Sequence, residues 1–157
     1  MSKLRLALSG LALVAVLGAG ALALAGQPAP VRTALALKTN PIGAKGRTLG
    51  LSRVTIPAGG QIAQHRHTGT QIAYIDRGTL TYTVKTGSVT VRRGAADQHP
   101  TVVRKISAGQ TGQIKTGQWI VEQPSVVHRA ANHGKTGIVI YLATLLPNGD
   151  PPSVPNR

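Results

Sequence analysis

Gly59-Gly60-Gln61-Ile62-Ala63-Gln64-His65-Arg66-His67-Thr68-Gly69-Thr70-Gln71-Ile72-Ala73-Tyr74-Ile75-Asp76-Arg77-Gly78 is the stretch on which the reading of this chain turns. His65 and His67 are separated by one residue, Gln71 follows, and His128 stands far downstream. Successive side chains of a β-strand point to opposite faces, so positions two apart share a face. On a strand His65 and His67 therefore reach inward together while Arg66 points outward, and Gln71 and His128 can close the site from neighbouring strands. Neutral imidazole is the commonest protein metal ligand, so the pattern reads as the makings of a mononuclear metal site.

Working outward, residues 47–146 alternate short Val-, Ile-, Thr- and Leu-rich runs with glycine at close intervals, as an all-β sandwich or barrel does. The spacing predicts strands near 48–56, 61–66, 70–76, 79–85, 88–92, 101–106, 112–115, 118–122, 126–131 and 136–145. Turns are expected at Ala58-Gly59-Gly60, Arg77-Gly78, Thr86-Gly87, Ala108-Gly109, Thr116-Gly117 and His133-Gly134. Phe is absent, so the core must be built from Val, Ile, Leu and Ala, residue types that suit strands. Residues 26–46 read as a linker with an added edge strand at 34–38, and the Pro-rich tail, 147–157, reads as extended or disordered.

The first 25 residues stand apart. Lys3 and Arg5 precede the apolar run Leu6–Ala25, which ends in Ala23-Leu24-Ala25 before Gly26-Gln27-Pro28. This is the pattern of a secretory signal peptide cut after Ala25, although the run is also long enough for an uncleaved membrane anchor. Either reading puts the domain outside the cytoplasm, periplasmic or secreted. The chain has no cysteine, so it must hold together by packing, and lipid attachment through an N-terminal cysteine is excluded.

Eighteen Lys and Arg against four acidic residues give a formal net charge of +14 over 157 residues, and removing Lys3 and Arg5 leaves +12. Such a surface attracts anionic envelope components or acidic small molecules. The cations are scattered, with Arg92-Arg93 and Arg104-Lys105 the close pairs, and no nucleic-acid-binding motif accompanies them. A generally basic export is thus the favoured reading over a nucleic-acid site.

With these residues in place, the chain resembles the cupin family. Its first motif runs Gly-x5-His-x-His-x3-4-Glu-x6-Gly, and Gly59, His65, His67, Gln71 and Gly78 reproduce every interval with Gln in place of Glu. The second motif, roughly Gly-x5-Pro-x-Gly-x2-His-x3-Asn, is met more loosely by Gly117, Pro124, His128 and Asn132, with Val126 near the place of the glycine. The resemblance spans about residues 47–146 and implies an all-β double-stranded β-helix, the jelly-roll barrel. It also implies one divalent transition metal (Fe, Mn, Ni, Cu or Zn) held by His65, His67, Gln71 and His128, and a homodimer. The segment Thr79–Thr116 exceeds the family minimum, which suggests an inserted hairpin near Arg92–Val102.

The Gln at position 71 departs from the pattern in a way that matters. Three His and one Gln bring no negative charge to a divalent ion, which favours an anionic substrate on the open positions and weakens attraction for the ion. It also removes the obvious general base. Among the remaining residues, Trp119 is expected as a core anchor, with pocket lining the alternative. Tyr74 should face away from Gln71, Asn132 should make local turn hydrogen bonds, and Glu122 should pair with one of the many cations. His99 and His133 read as solvated, and Tyr82 stays ambiguous. Three functional classes remain: an enzyme acting on a small anionic or enolisable molecule (dioxygenase, isomerase or cyclase type), a non-catalytic metal- or ligand-binding protein of the envelope, and a structural domain with a relic pocket.

Overall fold

The structure, a computed structural model, describes residues 28–156. The expected signal peptide or anchor lies outside the described residues. Twelve strands follow one another: β1 (Val31–Thr39), β2 (Arg47–Ile56), β3 (Gln61–Arg66), β4 (Thr70–Arg77), β5 (Thr79–Thr86), β6 (Ser88–Arg93), β7 (Thr101–Ser107), β8 (Thr111–Lys115), β9 (Gln118–Glu122), β10 (Val127–Ala131), β11 (Ile138–Pro147) and β12 (Val154–Pro155). They form a seven-stranded sheet, β1-β2-β11-β4-β9-β6-β7, and a five-stranded sheet, β12-β3-β10-β5-β8, with antiparallel pairing throughout. This is the expected all-β jelly roll.

Alternation sets what faces in. On β4 the buried positions are Gln71, Ala73 and Ile75, and on β9 they are Gln118, Ile120 and Glu122. Facing them from the small sheet are Leu80, Tyr82 and Val84 of β5 and Ile114 of β8. β-Branched residues fill most of the interior, as a Phe-free jelly roll requires. The tight connections use left-handed backbone: Gly78 (φ 89°) turns β4 into β5, and Gly117 (φ 77°) turns β8 into β9, a conformation costly for any residue with a Cβ. Gly69, between His67 and Gln71, is needed for space: a Cβ there would lie 2.2 Å from the Leu145 carbonyl oxygen.

Asn132, expected to bond locally, also ties distant strands. Its buried amide nitrogen lies 2.9 Å from the Ile56 carbonyl, 3.0 Å from that of Pro57 and 2.8 Å from that of Thr136, and its Oδ1 accepts from Gly134 N–H. Trp119, expected in the core, faces outward, because its neighbours Gln118 and Ile120 take the inward positions of β9. There its indole donates to the Gly94 carbonyl at 3.0 Å and the Arg92 guanidinium sits 5.5 Å above the ring. Within the long inter-motif segment, the expected hairpin is formed by β6 and β7 at the edge of the large sheet.

Both ends of the described region join the sheets. Residues read as linker form β1, which pairs with β2 along its length. The tail turns back through Pro147–Asp150 and lays β12 against β3, pairing Val154 with Arg66 and Pro155 with His65.

Candidate metal centre

The site lies between the two sheets. β3 carries His65 and leads into His67; β10 carries His128 and β5 Tyr82; β4 and β9 of the opposite sheet carry Gln71 and Glu122. A register shift against β10 between the pairs Ile62–Ala130 and His65–His128 puts an additional residue into β3. Such a bulge reverses the alternation. It lets Ile62 pack against the core while His65 still reaches the cavity.

His65, His67 and His128 converge: one nitrogen of each can be chosen so that all lie within 4.8 Å of one another. Ring centroids are 4.9 Å apart for His65–His67, 4.3 Å for His65–His128 and 5.2 Å for His67–His128. Two of the rings are held by backbone. His65 Nδ1 lies 2.7 Å from the Ala63 carbonyl and His67 Nδ1 2.6 Å from the Pro152 carbonyl. A carbonyl only accepts, so each Nδ1 carries the proton and each Nε2 is left with its lone pair. That outer hydrogen bond is the arrangement by which metal-binding histidines are oriented. The Pro152 contact gives the tail a place in the site that its composition did not reveal.

Gln71 arrives beside the histidines as expected, but through its amide nitrogen, 3.0 Å from His67 Nε2. The same nitrogen donates to Glu122 Oε2 at 2.5 Å. Glu122 is the residue that sequence reasoning misplaced. It is buried and meets no surface cation; its Oε1 lies 3.1 Å from His128 Nε2 and its Oε2 3.6 Å from His67 Nε2. Tyr82, ambiguous in sequence, donates its hydroxyl to Glu122 Oε1 at 2.6 Å while its ring stacks on His128 at 4.8 Å. Alternation with the apolar Ile120 was the signal that placed Glu122 inward.

The electrostatics follow from burial. Desolvation, with repulsion from His65 and His67, outweighs the attraction of Glu122 and holds His128 down at about 4. Burial likewise lowers His65 against the contribution of its Ala63 hydrogen bond. Burial alone would raise Glu122, but His128, His67 and the donors Tyr82 and Gln71 bring it below the ordinary carboxylate value. Burial and the Glu122 charge push the Tyr82 hydroxyl far up, so it remains a donor. At neutral pH the centre thus sets neutral His65 and His128 rings beside an ionised Glu122. This donor set fits a divalent transition ion. A cavity of about 360 Å³ opens above it, walled by residues such as Val54, Leu80, Ile140 and Leu142, with Arg32 and Pro152 also lining it. His99 and His133 are exposed and take no part.

No protein-family model matches the sequence, and no curated protein matches it either. Solved structures do. A cupin 2 domain-containing protein from Halorhodospira halophila aligns with a TM-score of 0.52 at 15% identity, over 82% of this chain and 71% of that one. The Cnp3 cupin domain of Schizosaccharomyces pombe aligns with a TM-score of 0.51 at 15% identity, over 76% of this chain and 65% of that one. The chain thus shares the jelly-roll fold of these cupin-domain structures, and three histidines that could hold a metal ion converge inside it.

Proposed function

We propose that the protein is an exported metal-binding cupin that holds one divalent transition ion (Fe, Mn, Ni, Cu or Zn) at His65, His67 and His128 and acts on a small anionic or enolisable organic molecule. The observation that carries the reading is the pairing of His65 and His67 Nδ1 with backbone carbonyls, which leaves both Nε2 atoms with lone pairs where the three rings converge. When bound, such an ion supplies Lewis acidity, and electron transfer if it is redox-active. The chain contributes apolar walls that exclude water and Arg32, a cation lining the cavity that suits a carboxylate-bearing ligand.

Elemental analysis of residues 26–157, purified without chelator or affinity-column metal, beside the His65→Ala variant tests this. A stoichiometric transition ion in the wild type, lost in the variant, is expected. No ion in either protein after reconstitution would overturn the reading.

A second reading, a non-catalytic binding protein of the envelope, has one specific observation in its favour. Among the described residues lining the cavity Glu122 is the one carboxylate, and its oxygens are already engaged by Tyr82, Gln71 and His128, leaving no free general base. Ligand binding by the metal-loaded protein without turnover of small carboxylates would select it. Export predicts a mature chain beginning at Gly26, checked by N-terminal sequencing, and its net charge favours contact with anionic envelope surfaces.

The reading includes a homodimer. Leu51, Ala143, Ile72 and Val121 lie side by side across β2, β11, β4 and β9 on the outer face of the large sheet. Leu51 and Ile72 are 40% and 44% exposed, and Leu49, Tyr74 and Leu145 extend the patch. Contiguous apolar patches of this kind mark association surfaces.

A further inference from the structure

We propose that Glu122 supplies the carboxylate of the metal centre and that Gln71 is its positioning residue, so that the ion is held by His65, His67, His128 and Glu122. The inference rests on the metal-binding reading above and concerns which side chains hold the ion. In the motif that the chain resembles, the carboxylate stands at the place of Gln71; here position 71 is neutral, and its direct cross-strand partner on β9 is Glu122. The negative charge thus lies one strand to the side of that place and faces His67 and His128.

Two of the three histidine–carboxylate distances suit coordination. Two donors each about 2.1 Å from one ion lie roughly 3.0 Å apart at a right angle and about 3.4 Å apart at a tetrahedral one. The carboxylate oxygens stand 3.1 Å from His128 Nε2 and 3.6 Å from His67 Nε2. The second approach is bridged by Gln71, whose amide nitrogen lies 3.0 Å from His67 Nε2 and donates to Glu122 Oε2. His67 Nδ1 holds the proton against Pro152, so Nε2 and the carboxylate oxygen are both acceptors turned to one place. An ion bound there would replace the amide's hydrogen bond to His67 and leave the one to Glu122.

Gln71 is unsuited to the ligand role in this arrangement. The atom it turns to His67 is the amide nitrogen, which has hydrogens and no lone pair free for a cation. Flipping the amide would set its oxygen against the Glu122 carboxylate at 2.5 Å. Tyr82 and Gln71 each donate to a different carboxylate oxygen, which fixes the plane of the group and leaves its other lone pairs toward the histidines. The buried Oε1 of Gln71 accepts no hydrogen bond, so the side chain is held by its nitrogen alone.

The chain contains a single glutamate, so a carboxyl-13C glutamate label, with unlabelled glutamine supplied, reports on Glu122 alone. The test is a Zn2+-minus-apo infrared difference spectrum of the labelled wild-type protein, joined to Zn2+ calorimetry of the wild type, Glu122→Gln and Gln71→Ala. The labelled carboxylate stretches are expected to shift on Zn2+ binding. Affinity should fall in E122Q by more than the roughly 10- to 100-fold that loss of an outer hydrogen-bond partner costs, and within that range in Q71A. In Q71A the zinc-induced carboxylate shift should persist, because the ligand set is unchanged. Zinc binding with unmoved carboxylate bands, or with E122Q equal to wild type, would overturn the assignment while leaving the three-histidine site standing. Absence of zinc binding by the wild type would instead remove the metal reading and this inference together. The infrared measurement uses the unsubstituted protein, so the outcome does not depend on E122Q folding.

Discussion

Gln71 and Glu122 face each other directly across the β4–β9 pairing, and the amide nitrogen of one donates to the carboxylate of the other inside the barrel. Buried charge is tolerated only when paired and hydrogen-bonded. The pairing explains how a barrel with one acidic group in its cavity keeps it ionised. It also ties the large sheet to the histidines of the small one, so the fold and the site depend on the same contacts.

Tyr82 provides the second fixed donor to that carboxylate. In Tyr82→Phe the ring can still stack on His128, but Glu122 Oε1 loses its 2.6 Å hydrogen bond. Metal affinity is expected to fall about 10-fold, measured by calorimetry. Stability of the apoprotein should fall by about 1.5–3 kcal/mol, the usual worth of a hydrogen bond to a charged group, read from urea unfolding.

Acid should weaken the metal-free fold. His128 is held at about 4 by burial, against 6.5 as its ordinary value. Between those values the unfolded chain binds a proton that the folded state refuses, so stability falls as pH drops through that window and is insensitive to this group above it. His65 and Glu122, both lowered, act in the same direction. Urea midpoints of chelator-treated protein should therefore be flat from pH 7 to about 8 and decline from about pH 6 to 4. In His128→Ala that decline should be shallower. A midpoint that rises on acidification would contradict the assignment of His128 as a buried neutral ring.

Much of this was legible in the chain because the signals were local. Gly59, Gly78, Gly87, Gly109 and Gly117, all read as turns, each adopt positive φ, and the strands between them fall within two residues of their expected limits. The three histidines converge because motif spacing carries over to the barrel interior. Glu122 was not legible. Its meaning comes from a cross-strand partner 51 positions away, and a lone glutamate in a basic chain suggests a surface ion pair first. The size of Trp119 pointed to the core, yet strand phase, fixed by Ile120 and Glu122, turned it outward. The ends were obscured because β1 is exposed along its length and shows no burial alternation, while β12 docks largely through backbone.

That docking makes the tail a component of the site. Pro152 accepts from His67 Nδ1, and Asn156 exchanges hydrogen bonds with Gln64 through its own backbone N–H and carbonyl. Truncation after Gly149 leaves the core strands intact but removes the group that fixes the His67 tautomer. Zinc affinity should drop about 10- to 100-fold, as for other losses of an outer partner, while the cooperative urea transition survives. Unchanged affinity in the truncated protein would show that the His67 ring is held by its other neighbours.

The proposed homodimer can be tested at the outer face of the large sheet. Leu51 and Ile72 are separated on the outer surface by Ala143 alone, whose small side chain leaves a shallow apolar floor between them. Burying that face against a second copy removes apolar area from water at about 25 cal/mol per Å². A Lys at either place would set an ammonium at the centre of the interface, opposite the same surface of the partner in a two-fold dimer. Leu51→Lys/Ile72→Lys is therefore expected to convert a dimer of residues 26–157 to a monomer in light scattering, with zinc binding preserved, since both side chains point away from the cavity. A wild-type protein that is already monomeric at working concentration, or a double variant that stays dimeric, would exclude this face as the interface.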